Sequence, residues 1–374
     1  MKIFPDTFKN FPKIKVLDAY LAKKYYSTLF FSLLICSLIS VAIDFSDKVK
    51  SFIEKPCTVK EIVLDYYPGF VMHMSGLLMP MYTLIAVVFF TSRLAFNSEI
   101  LSILNAGVSF QRLLRPYLIV GGTIAALHLA LNHFIIPEFN KSRLKFERTY
   151  VWTTGQDKGK TSNVHFLVSP DTKVFVRGYN KNSKTASGLR LEKFEGSRIV
   201  SILEADNASW KEDSNRWQLN NYSVRTFDGL REGYKRYNEP LDTAINLTPQ
   251  DFTWYHNQNE EMTSAELREA IARDRSRGLS NVKRYAVEMH RRTADAFTNI
   301  ILTVIGLAVA GRKVRGGMGL HLAIGIGIGA GFILLSKFAI SFATSGSMPI
   351  MLGIWIPNLV FLAVAVWLAS KAQK

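Results

Sequence analysis

The stretch Ser92-Arg93-Leu94-Ala95-Phe96-Asn97-Ser98-Glu99-Ile100-Leu101-Ser102-Ile103-Leu104-Asn105-Ala106-Gly107-Val108-Ser109 lies between two long apolar runs. Leu94, Ile100, Leu101, Ile103 and Leu104 recur at helical spacing, and Asn105-Ala106-Gly107 supplies a helix stop. The stretch is too polar to cross a bilayer, yet it is fastened to one at both ends. A short helix held in that way is well placed to be pushed on by a soluble partner. A helical hairpin lying passively at the membrane interface is the other reading.

Working outward, the apolar residues of this 374-residue chain are segregated, so a mean hydropathy of only +0.10 hides a membrane protein. Tyr25 to Ile43, Tyr67 to Phe90 and Tyr117 to Ile136 read as three spans before a long hydrophilic segment. Thr293 to Ala310, Met318 to Ala343 and Ile350 to Ser370 read as three after it. About 20 residues cross the hydrocarbon, so six spans is the natural count. The expected divisions are 1–136, 137–292 and 293–374. No cleavable signal is expected, because the lysine-rich start leads into an apolar run without a small-residue cleavage site.

Charge sets the expected orientation. The N-terminus, 91–116, 312–317 and the C-terminal tail carry Lys2, Lys9, Lys13, Lys15, Lys23, Lys24, Arg93, Arg112, Arg115, Arg312, Lys313, Arg315, Lys371 and Lys374. Against these stand only Asp6, Asp18 and Glu99. Basic loops stay cytoplasmic, which puts both termini and the 92–109 helix inside and 137–292 outside. The formal net charge of +16 is therefore largely a topology signal and not evidence for nucleic acid. Cys36 lies in an apolar run and Cys57 in a short loop, so neither a disulfide nor a metal set is expected.

The outer segment alternates in short runs: Val164–Val168, Lys173–Tyr179, Gly188–Phe194, Ile199–Leu203, Ala205–Trp210 and Arg216–Phe227. Turn residues separate them, as at Ser169-Pro170-Asp171 and Glu195-Gly196. Even spacing predicts a small antiparallel sandwich or jelly roll, with a core either filled or open to acyl chains. Thr263-Ser264-Ala265-Glu266 is a capping box for a helix ending at Gly278. A further helix from about Val282 leads into the fourth span. The fold class is thus an α+β membrane protein, six transmembrane helices with an inserted antiparallel β-jelly-roll.

Catalytic patterns are weak. Gly155-Gln156-Asp157-Lys158-Gly159-Lys160-Thr161 resembles a phosphate-binding loop but is one residue short between its glycines, lies on the outer side where ATP is scarce, and follows no buried strand. His128 and His133 are five apart, off a common helical face, so a metal site there is not expected. No nucleophile–His–acid pattern rises above chance. Two membrane features carry more. The fifth span has Gly319, Ala323, Gly327 and Gly331 in one row, with Gly325 and Gly329 on a neighbouring row, which suits close helix approach. Lys337 is an intramembrane charge that either snorkels to the outer surface or meets an anionic headgroup.

Three spans, an outer β-domain and three spans, with Leu17-Asp18-Ala19-Tyr20 before the first and Ser98-Glu99-Ile100-Leu101 through Ala106-Gly107-Val108-Ser109 after the second, resemble the LptF/LptG family of lipopolysaccharide export permeases. Met262-Thr263 with Glu266-Leu267, and Tyr285, Glu288, His290 and Arg291, add support over the rest of the chain. The first and fifth spans look closer to the LptG branch. The resemblance implies a membrane subunit of an ABC exporter that extracts lipopolysaccharide and passes it to a periplasmic bridge. The implied partners are a cytoplasmic LptB-like ATPase dimer, an LptF-like second permease and an LptC-like periplasmic protein. ATP would be bound by the ATPase and no cofactor by this chain, which is not itself an enzyme. It further implies an ATPase contact at Glu99, Ser98, Leu101, Leu104 and Gly107, with Glu99 in a salt bridge. Lateral gates of the first and fifth spans would involve Phe30, Leu34, Ser37, Gly327, Gly331 and Lys337. LptG relatives carry a lysine near the outer end of the first span, where this chain has Asp44. A membrane-anchored periplasmic binding or assembly protein without transport activity is the alternative.

Overall fold

The computed structural model describes residues 16–152, 161–253, 257–279, 282–312 and 317–372. Two compact units result, 1–143 with 287–374, and 144–286. Among the described residues, six helices are long and apolar enough to cross a membrane: α1 (Val16–Glu54), α2 (Glu61–Phe96), α4 (Phe110–Val151), α6 (Val282–Ala310), α7 (Gly317–Ser345) and α8 (Ile350–Ala372). The short α3 (Glu99–Asn105) lies between α2 and α4, and α5 (Ser264–Arg277) precedes α6.

The helices overrun the expected spans because charged flanks continue the helical winding. The third helix, expected to stop near Ile136, continues to Val151 through two π-wound turns, Leu131–Ile135 and Glu147–Val151. Such turns absorb an extra residue without ending a helix. α1 buries Leu21, Tyr25 and Leu29, four residues apart and therefore on one face. They join Met79, Tyr82, Ala86 and Val87 of α2 and Leu113, Tyr117 and Val120 of α4 in one apolar cluster.

The other unit is built on a sheet of β1 (Ser162–Ser169), β2 (Thr172–Asn180), β3 (Thr185–Glu195), β4 (Arg198–Lys211), β5 (Arg216–Asp228), β6 (Arg231–Tyr237) and β7 (Leu241–Thr243). The predicted class of six spans with an inserted antiparallel sheet is the architecture found. Within it the strand order is a meander, β1-β2-β3-β4-β5-β6, with β7 beside β5, and not the crossed order of a closed jelly roll. β6 and β7 line the same edge of β5 in registers one residue apart, Tyr222 facing Tyr237 and Leu219 facing Leu241. Pro240 lies at the slip, where a missing N–H breaks the ladder.

Two expected runs, 199–203 and 205–210, are one strand. Glu204 does not interrupt it, because its carboxylate stays half-exposed beside Arg190 of β3, 3.6 Å away. β6 was not predicted. All its residues are exposed, so no apolar alternation marks it. The core of the unit is filled by Val174, Val176, Ala186, Leu189, Ala205, Ala208, Trp217 and Leu219 from the sheet, with Leu247 and Phe252 laid over them. Trp217 Nε1–H donates to the Leu247 carbonyl at 2.7 Å, which fixes the covering segment. α5 opens with the capping box of Thr263 and Glu266 and closes on Gly278 at φ 73°. Buried Arg277 at its end donates to Asp251 Oδ1 at 2.8 Å and to Asn246 Oδ1 at 3.1 Å.

Candidate functional site

α3 is separated from α2 by Ser98, whose φ of 63° breaks the helical winding. After α3, Gly107 takes φ 85°, a conformation glycine adopts without Cβ crowding. Ile100 is the anchor: it is buried in the cluster that holds Leu21, Tyr25, Phe110 and Leu113, with Ile103 and Leu104 packed beside it. Leu101 points the other way and is exposed. Polar contacts complete the docking. Tyr20 of α1 donates to Glu99 Oε2 at 2.9 Å, and Asn97 Nδ2–H donates to Oε1 at 3.4 Å. Close by in sequence, Arg112 of α4 grips Asp18 of α1 with two bonds of 2.6 and 2.7 Å. The N-terminal ends of α1 and α4 are thus tied together, and α3 is seated on them. Charged bidentate pairs of this kind fix geometry as well as adding energy.

Phe30, Leu34 and Ser37 come together. They line one wall of a groove of ≈ 450 Å³, closed on its other sides by Val71, Met72 and Met79 of α2 and Leu127 and Leu131 of α4. The lining is almost entirely apolar. Gly327 and Gly331 are elsewhere, on the outer face of α7 with nothing within 4 Å, as is Gly319. The neighbouring glycine row faces inward: a Cβ on Gly325 would meet Val88 at 3.1 Å, and one on Gly329 would meet Leu84 at 3.4 Å. Lys337 borders a separate, smaller cavity of ≈ 150 Å³ together with Arg291, Asp295, Ser336 and Asn358. The six gate candidates therefore occupy three places and not one.

A polar seam through the bundle was not anticipated. Pro80 in α2 has no N–H, which leaves the Gly76 carbonyl without its helical donor. His128 Nε2 meets that carbonyl at 2.9 Å, and its other ring nitrogen accepts from Asn299 Nδ2 at 2.9 Å. Thr83 in turn donates to Asn299 Oδ1 at 2.9 Å. One turn on, Thr303 and Tyr25 share a 2.7 Å bond, and Thr298 donates to Asn358 Oδ1 at 2.8 Å. Glu288 is buried between Arg291 and Arg292, at 2.9 and 3.0 Å. Apart from the Glu288 pairs, the partners are far apart in sequence, so no local motif announces the seam. The available signal was the run of Asn and Thr inside the fourth span, since polar groups in hydrocarbon are paired or functional.

Asp44 does not stand alone toward the C-terminal end of α1. It is buried, takes an ion pair from Lys48 one turn later at 2.7 Å, and accepts from Tyr66 at 2.9 Å. The glycine-rich stretch from Gly155 falls outside the described residues except for Thr161.

The family described as lipopolysaccharide export system permease LptF/LptG matches residues 19–371, nearly the whole chain. The chain belongs to the LptF/LptG family. Among individually curated proteins no match is found. As an LptF/LptG protein the chain is a permease subunit of the lipopolysaccharide export system and not a catalyst. Six apolar helices agree with a multi-pass inner-membrane protein. The permease thus presents a short docked helix at one end of the bundle, an apolar groove along α1, and a filled β-unit.

Proposed function

We propose that this chain is the LptG-like half of a permease pair in an ABC exporter that lifts lipopolysaccharide from the inner membrane and hands it to a periplasmic bridge. Both termini and α3 face the cytoplasm, and the β-unit lies in the periplasm. Force enters at α3. Glu99, Ser98 and Leu101 form the face offered to an LptB-like ATPase, while Leu104 and Gly107 set its seat and its end. The observation that carries the reading is the seating of α3. Leu101 is exposed on its outward side, and its inward residues grip the start of α1 through Tyr20 and the shared apolar cluster. A push on α3 is then transmitted to the helix that walls the groove.

Energetics require such a partner. Burial is worth about 0.8 kcal/mol per methylene, so removing a lipid with several acyl chains costs on the order of tens of kcal/mol. The groove at Phe30, Leu34 and Ser37 shelters acyl chain at the lateral opening. The open Gly319/Gly327/Gly331 face of α7 receives the LptF-like subunit, and an LptC-like protein takes the lipid onward.

The test is to tag the chain, extract it in mild detergent and identify by mass what accompanies it. Recovery of a soluble ATPase and a second six-span permease is expected. Recovery of this chain alone, where other ABC complexes stay intact, would favour an anchored binding protein instead.

A further inference from the structure

The β-unit carries a cavity at the ends of two of its hairpins that the transport reading above does not use. Two hairpins of the meander, β2–β3 and β4–β5, end side by side, and the segment at Pro249 closes over them. Together they border an open cleft of ≈ 430 Å³, lined by Tyr179, Trp210, Lys181, Lys184, Glu212 and Gln250 among others. That volume is in the range of small-molecule sites. The cavity floor is rigid. Tyr179 is stacked on Phe252 with ring centres 3.9 Å apart, and Trp210 is held edge-on by Trp217 at 5.4 Å. Both aromatic rings are therefore fixed by the core; Tyr179 is buried and Trp210 half-buried, so Trp210 supplies most of the apolar wall.

The rim is polar and its charge is arranged. Lys184 sits at φ 51°, a left-handed conformation that Cβ crowding disfavours for lysine. The Lys184 carbonyl is pinned there by the Trp210 N–H at 3.1 Å. The equivalent last residue of the neighbouring hairpin, Asn215, takes φ 52°, where asparagine is at ease. A lysine thus occupies a position for which asparagine or glycine suits the backbone better. Backbone strain of this kind is characteristic of sites where a side chain has a task. The Lys184 ammonium is ion-paired with Glu212 across the cavity mouth, and it holds the Glu212 carboxyl below the usual carboxylate range.

We infer that this cavity, with Trp210 and Tyr179 as wall and Lys181 and Lys184 as cationic rim, binds an anionic saccharide. Flat aromatic faces match the C–H face of a pyranose ring, and the Gln250 amide supplies both donor and acceptor for its hydroxyls. The ammonium groups select a phosphate or carboxylate on the ring. Glu212 limits the net positive charge and keeps Lys184 in place until the ligand anion competes for it. The saccharide could be supplied by the headgroup of a membrane glycolipid or by a soluble cell-wall fragment. The shared chemistry is the charged sugar, and the assignment does not rest on the transport reading.

The experiment titrates the full-length protein in detergent with glucose 6-phosphate and follows indole fluorescence. Glucose and inorganic phosphate serve as separate probes. Saturable quenching by glucose 6-phosphate is expected, with at least tenfold weaker responses to the other two. Lys184→Asn removes the ammonium while easing the backbone, so it is expected to weaken binding at least fivefold with an unchanged or higher thermal midpoint. Equal titrations for the parent and Lys184→Asn would overturn the inference, as would a response to phosphate alone as tight as to the sugar phosphate. Absence of saturable binding would also overturn it. Displacement of the probe by lipopolysaccharide, and not by a soluble peptidoglycan fragment, would support the glycolipid source; the reverse would support the wall fragment. Recovery of the ATPase with Lys184→Asn is expected to be normal, which separates this test from the copurification.

Discussion

The first span is more apolar than the fourth, yet it is the less buried within the chain, and the two are built into the bundle in opposite ways. Only 11% of the most apolar window of α1 is buried within the chain, against 67% for α6. α6 is threaded by side-chain hydrogen bonds along its length, through Thr298, Asn299 and Thr303, to α1, α2, α4 and α8. α1 has its cross-helix polar contacts near its two ends: Asp18, Tyr20, Tyr25 and Tyr26 at one, Asp44 and Lys48 at the other. Between them lies the apolar wall of the groove. A helix whose cross-helix polar contacts, among the described residues, cluster toward its ends can bow or roll at small cost. One stitched along its length cannot, because each unmade bond in hydrocarbon exposes a polar group. The comparison teaches that hydropathy alone does not tell a frame from a moving part. The placement of polar partners does.

Breaking the drive to α1 should give the largest effect. Glu99→Ala is expected to lower lipid-coupled ATP hydrolysis in the reconstituted complex at least tenfold while the protein remains folded. Wild-type coupling in that variant would remove α3 as the lever. Next come the two glycine rows of α7. Gly325→Leu must displace Val88, and overpacking of this sort costs about 1–3 kcal/mol, read as a lower thermal midpoint. Gly327→Leu is expected to leave the midpoint unchanged and to weaken recovery of the second permease subunit.

The contrast itself is sharpened by Asn299→Leu, which strands His128 and Thr83 and is expected to cost about 2 kcal/mol. Leu34→Ala, on the free stretch of α1, should cost under about 0.5 kcal/mol because the side chain is already half-exposed within the chain. Similar losses for the two, measured by thermal unfolding in one detergent, would break the comparison. Tyr20→Phe is the mildest test. It removes one exposed hydrogen bond to Glu99, worth about 0.5–1 kcal/mol, and should reduce coupling only a few-fold.

Much of this was legible in the residues. Long apolar runs fix the count of spans, and the Thr263–Glu266 box and Gly278 mark α5 at both ends. The amphipathic pattern at Ile100 and Leu104 identifies the seated face of α3. Where pattern was missing, reading failed for physical reasons. β6 has no buried face, and the Glu204 charge looked like an interruption because a sequence does not display Arg190 beside it. The seam of His128, Asn299 and Thr83 is assembled from three helices, so each residue alone looks incidental. Glycine periodicity found both rows on α7 but not which one meets α2. That is decided by Val88 and Leu84, over two hundred positions away in sequence.

The meander also bears on how the protein is made. Every strand from β2 to β6 pairs with its immediate predecessor, so the sheet can zip hairpin by hairpin as the chain emerges, with little loop-closure entropy at each step. The exception is Phe252, whose ring must return to Phe166 and Tyr179 near the start of the unit. Until it arrives, the apolar side of the growing sheet stays uncovered. The interval between synthesis of β5 and of Phe252 is therefore when this unit most needs a chaperone, and a chain truncated before residue 252 should be cleared by proteases despite having all its strands.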